Sequence, residues 1–235
     1  MNVVVTRSAA WAPGLEDAEA WDRWKRAPSA PAGDAAPDVS FLPPLVRRRC
    51  SAVVRLMLHA AHACAPDDDV ATVFASRHGD CAGAVEIMED LARDATITAG
   101  TFSHSVHNTA AGLYSIVRHN ALASTSTAAV DATFGSGLIE ALGLLHRVSA
   151  TDVLLVVADA PPPAIFTAFT TEPSAPYAVG LLLALDGPGE RIDIAASAAV
   201  RGTPWPDALE FVRWLDSTEP AATIGRGRNG VRCSR

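Results

Sequence analysis

The chain has 235 residues, 49% of them apolar and 19% charged, with a net charge of −7. That length suits one domain or a tightly joined pair around a large core. The acidic balance argues against a nucleic-acid partner, which would ask for a basic face, and apolar runs such as 179–185 are far too short to span a bilayer.

In chain order, residues 2–6 form a β-branched run that reads as a strand. Residues 17–26 predict a short helix carrying Trp21 and Trp24. Residues 27–44 are rich in Pro, Ala, Gly and Asp and predict a flexible, exposed loop. Residues 45–64 predict one long helix, because Val46, Val53, Val54, Met57, Leu58 and Ala61 recur at helical spacing. Arg47, Arg48 and Arg49 fall in its first turn, where the helix dipole does not favour cations. They read as a solvated face or as a contact for an acidic partner such as a carrier protein.

Residues 69–76 predict a buried strand, and Asp80 is placed to cap a helix over 81–93. Cys81 then lies near a helix N-terminus, where a thiolate is favoured, although a small, half-buried helix cysteine is the better account. Residues 101–145 hold a Ser/His-rich turn, an apolar helix, a small-residue strand over 123–130, a tight turn over 131–137 and a second apolar helix. A buried strand follows over 152–158. Residues 159–176 form a loop with Phe166 and Phe169. Strands over 177–186 and 191–200 are joined by Gly187-Pro188-Gly189 and read as a hairpin. A helix over 206–216 turns Leu209, Val212 and Trp214 inward, and residues 217–235 read as a loose tail. Alternating helices and buried strands predict an α/β layered fold with one antiparallel edge.

The four cysteines show no C-x-x-C spacing, so neither a zinc site nor a disulfide framework follows. A reducing, cytoplasmic setting is the expectation, and the N-terminus lacks the pattern of a secretory signal. His104, His107 and His119 are not spaced as metal ligands, and no metal or cofactor is expected.

Phe102-Ser103-His104-Ser105-Val106-His107-Asn108 with Ala111-Gly112, the segment Val73 to Gly79, and Arg48-Arg49 ahead of an apolar helix together resemble the β-ketoacyl synthase N-terminal-domain family. More narrowly, the chain resembles the stand-alone, chain-length-factor-like proteins of aryl polyene-type clusters. The resemblance implies a thiolase-like half-fold over 1–216, with a mostly parallel sheet flanked by helices and an antiparallel hairpin at its end. It implies a full-length ketosynthase or an acyl-carrier protein as partner, and a homodimer or heterodimer paired through the strand at 123–130, whose uncharged edge invites pairing.

Condensing enzymes hold the acyl chain on a cysteine at a sharp strand-to-helix turn. In the family pattern that cysteine stands three residues before the glycine that starts the helix. Here the glycine is Gly137, and Phe134 stands at the nucleophile position. The family's acid–base groups lie in a C-terminal half for which the chain has no matching segment. A non-condensing partner or accessory subunit of polyketide or fatty-acyl biosynthesis is the first expectation. An acyl-thioester hydrolase or acyltransferase is the alternative. Its candidate catalytic residues are Ser105, His107 and Asn108, with Asp131 at the strand end, but the chain has no G-x-S-x-G elbow. In the plainer reading His107 and Asn108 satisfy backbone groups and Ser105 caps the following helix. His104, Ser136, Phe166 and Phe169 are candidate acyl or partner contacts.

Overall fold

A computed structural model describes residues 1–65, 69–94, 96–147, 152–170, 172–198, 202–226 and 229–235. Its strands are β1 (Asn2–Trp11), β2 (Ala71–Ala75), β3 (Ser124–Thr127), β4 (Asp152–Asp159), β5 (Tyr177–Ala184), β6 (Glu190–Ala198), β7 (Ala221–Arg226) and β8 (Asn229–Ser234). Its helices are α1 (Ala18–Arg26), α2 (Pro44–Arg47), α3 (Ala52–Cys64), α4 (Cys81–Asp94), α5 (Ala99–His104), α6 (Thr109–Arg118), α7 (Thr133–Arg147) and α8 (Asp207–Leu215).

All eight strands join one sheet in the order β3-β2-β4-β5-β1-β6-β8-β7. Strands β2, β4 and β5 are buried along their whole length but for Asp152, which is why they read as continuous apolar runs rather than alternating ones. Val73, Leu155 and Leu181 face α7 and α8, together with Phe134, Leu138, Phe211 and Trp214. Phe74, Leu154 and Leu182 face α3 and α6, together with Val53, Met57 and Tyr114. The fold is thus helix, sheet, helix, with the core in two slabs.

Several sequence expectations are corrected. The sheet is mixed, but not mostly parallel: only β2 with β3 and β2 with β4 run parallel. These three strands are the ones joined by helical crossovers, which parallel pairing requires. The remaining pairings are antiparallel.

Strands β5 and β6 are not a hairpin. β1 lies between them and pairs antiparallel with both. Gly189 lets the connection pass close over β1: a Cβ there would meet the Val5 carbonyl oxygen at 2.3 Å. The expected loose tail instead forms the β7–β8 hairpin, which extends the sheet beyond β6.

The helix expected over 45–64 is two helices. Arg55 accounts for the break: its Nη2 donates to the Arg47 carbonyl at 2.9 Å and its Nε to the Cys50 carbonyl at 3.1 Å. It thereby caps the end of α2 with a charged donor. The strand expected over 123–130 is only Ser124–Thr127, and Val130 already turns away with φ 49°. Residues 28–43 form no helix or strand, yet Val39 and Leu42 are buried.

Candidate functional site at the ends of β2 and β4

The C-terminal ends of β2, β3 and β4 meet the start of β5 and of α8, the usual place for a site in a parallel sheet segment. Asp159 ends β4 and is 2% exposed. It accepts from Ser76 Oγ at 2.7 Å, from the backbone amides of Arg77 and His78 at 3.0 and 2.9 Å, and from the Tyr177 hydroxyl at 3.3 Å. A buried carboxylate needs this many donors. Burial, then the Asp159 charge, raises the Tyr177 hydroxyl well above its ordinary value.

The turn after β2 is held from a second side. Ser76 Oγ accepts from the Gly79 amide at 2.8 Å, and Gly79 has φ 58°, a conformation that favours glycine. The His107 ring nitrogen Nε2 meets the Ser76 carbonyl at 3.2 Å and the ring covers Gly79. The two most distinctive sequence segments, 73–79 and 102–108, are therefore structural partners of one another. Burial lowers the His78 imidazole from its ordinary value.

The turn ahead of α7 forms the opposite wall. Val130 has φ 49°, a strained conformation for a β-branched residue. Thr133 Oγ1 donates to the Val130 carbonyl at 2.8 Å and accepts from the Ala129 amide at 3.0 Å, fixing the turn. Asp131 follows Val130 and pairs with Arg77 at 2.9 Å. Arg77 also lies 3.8 Å from Glu172. Arg226, at the end of β7, binds Glu172, lies 3.3 Å from Asp207 and donates to the carbonyls of Thr203 and Trp205. These groups line a cavity of about 50 Å³, together with Phe134, Pro173 and Pro206. That is room for a few waters. Burial, followed by the Asp131 and Glu210 charges, pushes the Asp207 carboxyl up to about 7.

Phe134 points into the core, 4% exposed, with its ring 5.2 Å from that of Phe211. No cysteine stands at this turn: Cys50, Cys64 and Cys233 are buried elsewhere, and Cys81 begins α4. Burial and the Asp80 carboxylate raise the Cys81 thiol, so the helix start does not favour a thiolate there. Asp80 does cap α4, accepting from the Gly83 amide at 3.2 Å.

The structure does not bring the Ser/His candidates together. Ser105 Oγ donates to the Phe102 carbonyl at 2.9 Å and does not cap α6. Asn108 is the residue before α6 and makes no side-chain capping bond. His107 turns to Ser76, and Asp131 turns to Arg77. The His104 carbonyl accepts from Thr109 Oγ1 at 3.1 Å. Ser136 is half-buried on α7. Phe166 is half-buried and Phe169 is 85% exposed, and neither lines the cavity. Sequence reasoning missed Asp159, Glu172, Asp207 and Arg226. An acid closing an apolar strand was the available signal for Asp159; the other three lie in a loop, at the start of α8 and at the end of β7, with no pattern that links them. Among the described residues, no three His, Cys, Asp or Glu side chains converge as a metal site, and no helix is long and apolar enough to cross a membrane.

A family model described as beta-ketoacyl synthase, N-terminal domain, matches residues 21–230. Among solved structures, a chain of the complex of the ketosynthase ApeO with its chain length factor ApeC from Xenorhabdus doucetiae aligns at TM-score 0.87 and 29% identity, over 100% of this chain and 100% of that one. The ishigamide ketosynthase/chain length factor aligns at TM-score 0.68 and 16% identity, over 84% of this chain and 68% of that one. A beta-ketoacyl synthase from Burkholderia phymatum aligns at TM-score 0.63 and 13% identity, over 84% of this chain and 64% of that one. The last two are likenesses of fold, and the fold they share with this chain is the thiolase-like one. No curated protein matches.

Proposed function

This chain belongs to the beta-ketoacyl synthase N-terminal domain family, and from that premise we propose that it acts as a non-condensing, chain-length-factor-like partner of a ketosynthase in polyketide or fatty-acyl assembly of the aryl polyene type. The observation that carries the reading is the turn ahead of α7. Its strained backbone residue is Val130, the side chain beside it is the Asp131 carboxylate, and that carboxylate is held by Arg77. A carboxylate paired with a guanidinium is a poor nucleophile toward a thioester, and the cavity next to it is lined by further ion pairs. The similar Xenorhabdus structure pairs a ketosynthase with its chain length factor.

The free edge of β3 supports association. β3 pairs with β2 on one side only and ends the sheet. Its side chains, Ser124 to Thr127, are small and uncharged, and Ile116, Leu122 and Val130 are exposed. Such an edge is a template for another strand. The test is co-expression with a full-length ketosynthase, followed by gel filtration with light scattering. The expected result is a stable heterodimer that condenses malonyl units, while this chain alone takes up no acyl group by intact mass. A chain that stays monomeric at micromolar concentration with and without the ketosynthase overturns the reading.

A further inference from the structure

Arg77 and Arg226 each stand between two carboxylates. Arg77 pairs with Asp131 at 2.9 Å and lies 3.8 Å from Glu172. Arg226 pairs with Glu172 and lies 3.3 Å from Asp207. The same Glu172 oxygen, Oε2, faces both arginines. Asp131 and Glu172 balance Arg77 and Arg226 charge for charge, provided that Asp207 holds a proton. Asp159, a further acid of the cavity wall, is already taken by Ser76, by two backbone amides and by Tyr177. Ionised, Asp207 is a third carboxylate set against two guanidiniums, beside a cavity that admits only a few waters. The charges around Asp207 are Asp131 ahead of α7, Arg77 after β2, Glu210 on its own helix, Arg226 on β7 and Glu172 across the cavity; Tyr177 of β5 stays neutral, its hydroxyl raised by burial and by Asp159. Burial and the Asp131 charge bring the Asp207 carboxyl to about 7, so both its forms are populated near neutrality.

We propose that Arg77 and Arg226 form a two-position ion-pair relay, worked by the proton on Asp207, that holds or releases the turn ahead of α7. With Asp207 protonated, the pairs are those seen: Arg77 with Asp131, and Arg226 with Glu172. When Asp207 loses its proton, Arg226 turns to it, Glu172 passes to Arg77, and Asp131 is the carboxylate left over. Arg226 cannot follow Glu172, because it also donates to the Thr203 and Trp205 carbonyls. Asp207 cannot leave, with 10% of its side chain exposed, whereas Asp131 is 45% exposed and hydrates by turning outward. Glu172 is kept in place by its own carbonyl, which the His78 ring nitrogen Nε2 meets at 2.8 Å. Asp131 follows the strained Val130, so its release loosens the turn that leads out of β3. That this changes pairing at the β3 edge rests on the function proposed above; the relay itself does not.

The test is amide hydrogen exchange of this chain alone, read by NMR in mildly acidic and mildly alkaline solution and divided by the intrinsic rate at each pH. The reporters are the amides of Ala129 and Ala132, which are bonded within the turn to Thr133 Oγ1 and to the Ala129 carbonyl. Amides of β4 are the reference for global opening. In the parent, protection of the turn is expected to fall about tenfold relative to β4 as pH rises, the change given by a one-unit difference in the Asp207 value between held and released turns. Asp207→Asn and Glu172→Gln each remove one carboxylate and restore the balance, so each is expected to keep the turn protected at both pH values. Asp131→Asn is expected to leave it released at both. Turn and β4 protection that fall together, or a turn unchanged in the parent, overturn the proposal. So does a Glu172→Gln variant that releases as the parent does, since Glu172 would then pass nothing to Arg77. The measurement needs no ketosynthase, so it decides the relay separately from the partner reading.

Discussion

Nη2 of Arg77 lies 2.9 Å from Oδ1 of Asp131, joining the turn after β2 to the turn before α7. This pair puts a carboxylate directly after the left-handed residue Val130 and leaves Phe134 behind it in the core. The Asp131 side chain is 45% exposed.

A cysteine introduced at either position reports the difference. In a Cys81→Ser background, Asp131→Cys is expected to be alkylated quickly by iodoacetamide in the native protein. Phe134→Cys is expected to stay protected until the protein is unfolded, since the side chain it replaces is 4% exposed. Intact mass over time measures both. Equal labelling rates would show that the bend is not where the structure has it.

His107 has a structural task, the Ser76 carbonyl at 3.2 Å and cover over Gly79. His107→Ala is expected to cost about 1–2 kcal/mol in urea unfolding, the cost of leaving a partly buried acceptor without its donor. Ser105→Ala, which removes only a local bond to Phe102, is expected to cost less than about 0.5 kcal/mol. A stability loss for Ser105→Ala equal to that of His107→Ala would contradict this account.

Gly137 and Gly143 sit on the same helix and predict opposite outcomes. A Cβ at Gly137 would lie 3.0 Å from the Ala75 Cβ and 3.1 Å from Leu155 Cδ1, whereas at Gly143 nothing lies within 4 Å. Gly143→Ala is expected to stabilise by about 0.5–1 kcal/mol through helix propensity. Gly137→Ala is expected to lose that gain and more, because overpacking α7 against β2 and β4 costs about 1–3 kcal/mol. Thermal melts of the two variants decide it, and a stabilising Gly137→Ala would refute the close approach.

Asp207 makes stability depend on pH. Its carboxyl is pushed from 3.8 in the unfolded chain up to about 7 in the fold, first by burial and then by Asp131 and Glu210, against the lowering by Arg77. Between those two values the native state holds a proton that the unfolded state has released. The stability this group contributes is therefore complete below its unfolded value and lost as pH rises through about 7. Asp207→Asn keeps an acceptor for Arg226 and removes the titration. It is expected to be more stable than the parent above neutrality and to flatten the profile between mildly acidic and neutral pH. Urea unfolding across that range checks it; parallel profiles for parent and variant would show that Asp207 does not titrate there.

The elements legible in the sequence were those whose burial leaves a periodic mark. Helix α3 announced itself through Val53, Val54, Met57, Leu58 and Ala61, all buried in the fold, while Val46 of the same pattern falls on α2 and is half-buried. Strands β2, β4 and β5 announced themselves as apolar runs because both their faces are covered. The Arg55 break in the 45–64 helix left no such mark, since a side chain reaching back to carbonyls looks in sequence like any helical arginine. The Gly187-Pro188-Gly189 turn was read as a hairpin because its residues suit one. Nothing local to it shows that β1, at the start of the chain, slots between the two strands. The tail looked loose for the same reason: β7 and β8 gain their order from β6 and from each other.

The sequence by itself determined the layered α/β class, the family resemblance and the lack of a cysteine ahead of α7, because each of these is written in residue type and short-range spacing. Only the tertiary structure decided what the distinctive residues do. His107 serves the Ser76 carbonyl rather than Ser105, and Asp131 serves Arg77 rather than a histidine. Asp159 gathers donors from the start of β5 and from a turn some eighty residues earlier. Hydrogen bonds and ion pairs act over about 3 Å in space whatever the distance along the chain, so which polar group meets which is settled only once the hydrophobic layers have packed.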